Sequence, residues 1–106
     1  MKNFKILIVW QKSIDLVKEL YNVTKQFPKE EQYTLTSQIR RSAISIPSNI
    51  AEGSGRGGDK ELIHFLNIAL GSAFELETQL IIIKELEYIS KSNFNNIEAK
   101  LVEIQK

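Results

Sequence analysis

The chain has no cysteine. Disulfides and thiol chemistry are therefore excluded, and the commonest zinc ligand is missing. There is one histidine, His64, and a lone histidine cannot build the usual zinc site. Long apolar runs are lacking too. The run from Ile6 to Trp10 is too short for a signal-peptide core and far too short to cross a bilayer. The run Ile81 to Ile83 is followed at once by Lys84 and Glu85. These absences point to a cytoplasmic protein with no membrane segment, folded as one domain over residues 1–106.

The residues present are those of a globular chain, 42% hydrophobic and 25% charged. The formal net charge of +1 hides an asymmetry. Residues 1–60 carry ten Lys/Arg against six Asp/Glu, and residues 61–106 carry four against seven. Two oppositely charged helical faces, meeting within the fold or between subunits, explain this more simply than a basic patch for nucleic acid.

Apolar spacing is helical almost throughout. Trp10, Ile14, Val17, Tyr21 and Thr24 form one stripe, flanked by Leu16, Leu20, Val23 and Phe27, which predicts a helix from about Val9 to Gln26. Pro28 ends it by biasing Phe27 away from helical geometry. Leu35, Ile39, Ala43, Ile46 and Ile50 predict a second helix, bent at Pro47 rather than split there, because the spacing stays in phase across the proline. Ser42, Ser45 and Ser48 are candidates to bond the backbone groups that Pro47 frees. A third and longest helix is predicted from Asp59 to Leu86, with Asp59 as its N-cap and a small-residue waist at Gly71 to Ala73 suited to close approach of another backbone. A fourth begins near Ser92 and carries Phe94, Ile97, Leu101 and Ile104. No segment alternates as a strand does. The expected fold is all-α, an up-down four-helix bundle.

Four of the five glycines lie between Gly53 and Gly58, where Gly53, Gly55 and Gly58 match the dinucleotide-binding spacing G-x-G-x-x-G. That chemistry needs a preceding strand, and here a helix precedes. Asp59 also places negative charge where a phosphate would sit, and no lysine follows the last glycine as a Walker loop requires. The stretch reads as a helix-helix joint, with Gly53 as the left-handed residue ending the second helix. Catalysis finds little support. Glu75 and Glu77 point about 200° apart on a helix, His64 has no carboxylate four residues away, and no serine has a recognisable base. We expect no enzyme, no cofactor and no metal.

The third helix has more apolar residues than one seam needs. Ile63, Leu70, Phe74 and Ile81 would leave an exposed patch on a lone bundle, and such patches mark interfaces. Self-assembly is the simplest inference. The opposite charges of the two halves suit a head-to-tail contact that closes into a ring.

The stretches YTLTSQIRRSAISIPSNIAEGSGR (33–56) and FLNIALGSAFELETQL (65–80), with VWQKS (9–13) and FPKEE (27–31), closely resemble the bacterial four-helix-bundle family of 23S rRNA intervening-sequence proteins. A similar protein is the accessory variability determinant of diversity-generating retroelements, a pentameric barrel of such bundles that binds RNA and a reverse transcriptase. That relative is strongly basic, whereas this chain is near neutral. The resemblance implies a four-helix protomer, a homopentamer and an RNA-related role, and it implies no enzyme. It makes Arg40, Arg41 and Arg56, with Lys60, the candidates for contact with RNA or a partner such as a reverse-transcriptase-like protein. The arginines serve equally well as structural ion-pair partners of Glu52, Glu75 or Glu77. The expected function is a non-enzymatic oligomeric scaffold contacting RNA or an RNA-handling protein. A purely protein-binding adaptor is the alternative.

Overall fold

The computed structural model describes residues 3–106. Four α-helices hold most of them, and no strand occurs among the described residues. Helix α1 spans Ile8–Thr24, α2 Leu35–Gly55, α3 Asp59–Glu85 and α4 Lys91–Gln105. Short 3-10 turns at Phe4–Ile6 and Lys29–Glu31 precede α1 and α2.

Side-chain contacts set the direction of each helix. Arg40, near the start of α2, bonds Thr24 at the end of α1. Ser42 meets Glu75 and Ser45 meets Ser72, so α3 runs back along α2. Lys84 stands 4.8 Å from the centre of the Phe94 ring, while Gln105 reaches Glu77, which makes α4 antiparallel to α3. Lys12 pairs with Glu103, and Glu19 with Lys100 and Asn96, closing α4 onto α1. Each helix packs on its chain neighbour, α4 returns to α1, and the diagonal pairs make no backbone approach. This is the up-down order that short links impose.

The apolar stripes converge on one core. Leu16, Leu20, Ile39, Ile46, Ile50, Leu76, Leu80, Ile83, Ile97 and Leu101 are fully buried. Burying each such side chain stabilises by about 1.5–3 kcal/mol. Helix α2 passes through Pro47 unbroken, as the in-phase spacing requires. Two of the serines beside it, Ser42 and Ser45, act otherwise than expected. Ser42 donates to Glu75 Oε1 at 2.5 Å and Ser45 shares a hydrogen bond of 2.8 Å with Ser72, so they form a polar seam between α2 and α3 rather than bonding freed carbonyls.

The caps and glycines depart from the sequence expectation in four places. Gly53 does not end α2: it is buried inside the helix, where an added Cβ would stand 2.7 Å from Phe65 Cβ. The left-handed residue of the joint is Gly57, with φ of 86°. A Cβ added at Gly71 would meet nothing within 4 Å, so Gly71 itself is not where another backbone comes close, although its neighbour Ser72 bonds Ser45 of α2. Asp59 is the first residue of α3 after an extended Gly58, and Ser90 rather than Ser92 caps α4, accepting from Asn93 N at 3.1 Å.

Length shapes the surface. The 27 residues of α3 span about 40 Å at 1.5 Å each, close to the 43 Å long axis of the bundle. The 15 residues of α4 span only about 22 Å. The N-terminal part of α3 therefore lacks an α4 neighbour. A cavity of about 320 Å³ opens past the end of α4, lined by Val9, Ile46, Ile50, Leu66, Leu70 and Ile104.

Candidate functional site

The outer side of α3 stays uncovered. Ile63 is 58% exposed, Phe74 51% and Ile81 46%, while Leu70 is half-buried at the rim of the apolar cavity. Their spacing of seven, four and seven residues keeps them within one narrow sector of the helix. Ala69, Ala73, Leu76, Leu80 and Ile83, about a third of a turn away around the helix, face the core. On the flank away from the stripe, Ile68, Ile82 and Leu86 are also exposed. All four residues expected at an interface thus share one side of one helix.

The four basic candidates do not converge. Arg40 is half-buried and already engaged: its Nε donates to Thr24 Oγ1 at 2.9 Å, and its guanidinium lies 4.3 Å from the centre of the Tyr21 ring. Its Nη2 also reaches the Tyr21 carbonyl at 3.5 Å, at the end of α1, where a cation suits the helix dipole. Arg56 pairs with Glu52 one turn earlier at 3.2 Å and lies 5.2 Å from the centre of the Phe65 ring. Both partners of that pair are half-exposed, so its worth is small. Arg41 and Lys60 are exposed, and neither makes an ion pair among the described residues. Because α2 is continuous, Arg41 and Arg56 stand about 22 Å apart along it, so the arginines form separate points of charge. Glu75 and Glu77 face Ser42 and Gln105 rather than an arginine.

The structure brings together a group that spacing did not reveal. Where the end of α1 meets the start of α2, Arg40 and Arg41 border a groove of about 470 Å³ with Tyr21, Gln32, Tyr33 and Thr36. Tyr33 sits in the turn before α2, outside any helical stripe, and is 87% exposed. Beside this groove, Glu31 accepts from the Thr34 hydroxyl at 2.7 Å and from the Tyr88 hydroxyl at 3.0 Å. Those two donors, Thr34 first, hold the Glu31 carboxyl below its ordinary value, and the same bond pushes the Tyr88 phenol up. At the other end, the hydrogen bond and charge of Lys12 lower Glu103.

Among the described residues no group of three or more acidic or histidine side chains could hold a metal. His64 is exposed and rests edge-on against Phe65. The cavity beside Glu52, lined also by Ser48, Asn49, Ala51 and Phe65, includes neither His64 nor Arg56. Helix α3 is long and apolar enough to cross a membrane by length and composition, with mean hydropathy 1.3 over its best window, 33% of it buried. Glu75 and Glu77 stand midway along it, where charge in hydrocarbon is costly. Its apolar residues divide between the bundle core and the exposed stripe.

The comparisons agree with this architecture. Residues 5–106 match the family model described as 23S rRNA-intervening sequence protein. The fold is similar to the crystal structure of a protein of unknown function from the S23 ribosomal protein family of Bacteroides thetaiotaomicron VPI-5482. The two share 30% sequence identity and a TM-score of 0.85 over 92% of each chain. No curated protein matches the chain. Neither description names a catalytic activity. With four helices in up-down order and a family match over nearly its whole length, the chain belongs to the 23S rRNA-intervening sequence protein family.

Proposed function

We propose that this protein is a non-enzymatic scaffold that assembles with copies of itself, as a ring of five, and contacts RNA or an RNA-handling protein. The stripe of exposed Ile63, Phe74 and Ile81, with Leu70 half-buried between them, carries the reading. Several large apolar side chains aligned on one helix face are costly in water and favour association. A ring repeats each weak basic site, Arg41 on α2 and Arg56 with Lys60 at the α2–α3 joint, once per protomer. Repetition converts feeble single contacts into avidity that can exceed a single affinity by about 10²–10⁴. The family description, which concerns 23S rRNA, supports RNA as the polyanion.

The experiment pairs assembly with binding. The double variant Phe74→Ser, Ile81→Ser changes no basic residue. It is expected to run as single chains and to lose at least about a hundredfold in RNA affinity through lost avidity. Full RNA affinity in a proven monomer refutes the scaffold mechanism. Wild-type binding that is absent at low salt, or insensitive to salt, refutes phosphate contact.

The second exposed flank, Ile68, Ile82 and Leu86, supports the alternative of a protein-binding adaptor without nucleic-acid contact. Salt-resistant binding to a protein partner, lost on Ile82→Ser, would select it.

A further inference from the structure

We infer that the groove between the end of α1 and the start of α2 holds an unpaired nucleotide of single-stranded RNA, with its base against Tyr33 and its phosphate on Arg41. This rests on the reading that the protein contacts RNA, and it names the part of the RNA that is bound. Four observations carry it. First, the charged residues lining the groove are Arg40 and Arg41, with no acidic side chain among them, so it suits an anion. Second, the phenol ring of Tyr33 is 87% exposed and packs on no other ring among the described residues, which leaves a free π-face at the rim. Bases unstack onto such rings in single strands, but not in duplexes. Third, Arg40 lies over the Tyr21 ring and bonds Thr24, so the guanidinium is fixed before any ligand arrives. Arg41 makes no ion pair among the described residues and is the cation left to meet a phosphate.

The fourth observation is independent of charge and aromatic content. Thr36 lines the groove, is only 6% exposed, and its hydroxyl has no hydrogen-bond partner. Buried polar atoms are nearly always paired, and an orphan calls for an explanation. A ligand in the groove supplies one once the Thr36 side chain turns its hydroxyl outward, since a base edge or a 2′-hydroxyl offers both donors and acceptors. Gln32, exposed at the rim, adds a second group able to read such an edge. The volume of about 470 Å³ falls within the range of clefts that hold small ligands.

The test measures the binding of fluorescent oligouridylate by anisotropy, with the duplex it forms with oligoadenylate as comparison. The wild-type protein is expected to prefer the single strand. Tyr33→Ala is expected to weaken single-strand binding roughly 5- to 150-fold, and Tyr33→Phe to keep it. Arg41→Gln should lower the slope of log affinity against log salt by about 0.7. Thr36→Val keeps the shape and removes the orphan hydroxyl. It should weaken RNA binding several-fold while leaving the unfolding midpoint unchanged or raised. Tyr33 is too exposed for its loss to unfold the chain, and circular dichroism confirms this for each variant. Single-strand affinity within twofold of wild type for both Tyr33→Ala and Thr36→Val overturns the inference. If Arg41→Gln and Arg56→Gln still weaken binding in that case, RNA contact stands and only the groove is wrong. If wild type binds no RNA at low salt, the parent reading falls as well. Equal competition by a poly(Glu, Tyr) peptide assigns the groove to an acidic protein segment and also overturns the inference.

Discussion

One substitution, glycine to alanine, should have opposite signs at two places in this bundle. At Gly53 a Cβ would lie 2.7 Å from Phe65 Cβ and 3.4 Å from both the Cα and the carbonyl oxygen of Leu62. Two carbons sit comfortably at about 3.5–4.0 Å, so the shortfall is about 1 Å. The obstructing atom is anchored directly to the α3 backbone, so no flexible side-chain tip can swing aside. The start of α3 must move away from the end of α2, and overpacking of this kind costs about 1–3 kcal/mol. Alanine returns about 1 kcal/mol through helix propensity. The net expectation for Gly53→Ala is a loss of about 0–2 kcal/mol. At Gly71 nothing lies within 4 Å of the new methyl, and only the propensity gain of about 1 kcal/mol remains. Urea unfolding of both variants at one fixed protomer concentration reads the difference, since concentration itself shifts the stability of an oligomer. For a chain of this size, 1 kcal/mol moves the thermal midpoint by about 4–8 °C. A Gly53→Ala variant as stable as Gly71→Ala would refute the claim that α3 presses closely on α2 at Gly53.

Four further expectations follow from local geometry. Arg40→Ala removes the bonds to Thr24 Oγ1 and the Tyr21 carbonyl and uncovers the Tyr21 ring, which should cost about 1–2 kcal/mol in urea unfolding. Arg41→Ala, at an exposed residue, should stay within about 0.5 kcal/mol of wild type. Glu87 holds a φ of 61° where α3 ends, with Tyr88 N bonded to Ile83 O and Glu87 N to Lys84 O, so Glu87→Gly should stabilise by about 1 kcal/mol, read as a raised thermal midpoint. Glu31 titrates below its ordinary value because Thr34 and Tyr88 donate to its carboxylate. Its stabilising contribution is therefore complete above the ordinary glutamate value and is lost as pH falls through the lowered one. Tyr88→Phe should move the Glu31 titration upward, followed by NMR, and an unmoved titration would contradict the hydrogen bond.

Much of the fold could be read from spacing. The stripe Leu35, Ile39, Ala43, Ile46 and Ile50 stayed in phase across Pro47, and α2 is indeed one helix. Periodicity also put Ile63, Leu70, Phe74 and Ile81 outside the core seam of α3; Ile63, Phe74 and Ile81 are exposed, while Leu70 is half-buried at the rim of the apolar cavity. Periodicity shows faces, but not what stands opposite them. Gly53 and Gly71 are the same residue on helices of similar pattern, yet one is pressed against Phe65 and the other faces open space. Arg40 and Arg41 are adjacent in sequence, and only the position of α1 decides that one is tied down and the other free. The groove was hidden for the same reason. Tyr33 belongs to a turn and Thr36 to the first turn of α2, and no helical stripe links them to Tyr21. The caps failed on a smaller scale, since Ser90 and Ser92 both offer a hydroxyl near the start of α4 and local sequence does not choose between them.

Sedimentation equilibrium of the wild-type protein beside Phe74→Ser, Ile81→Ser tests self-association most directly. The account predicts a wild-type mass of several protomers, five if the ring closes as proposed, and a variant that sediments as single folded chains. A wild-type protein that remains one chain across the accessible concentration range, with Phe74 and Ile81 open to solvent, would contradict it.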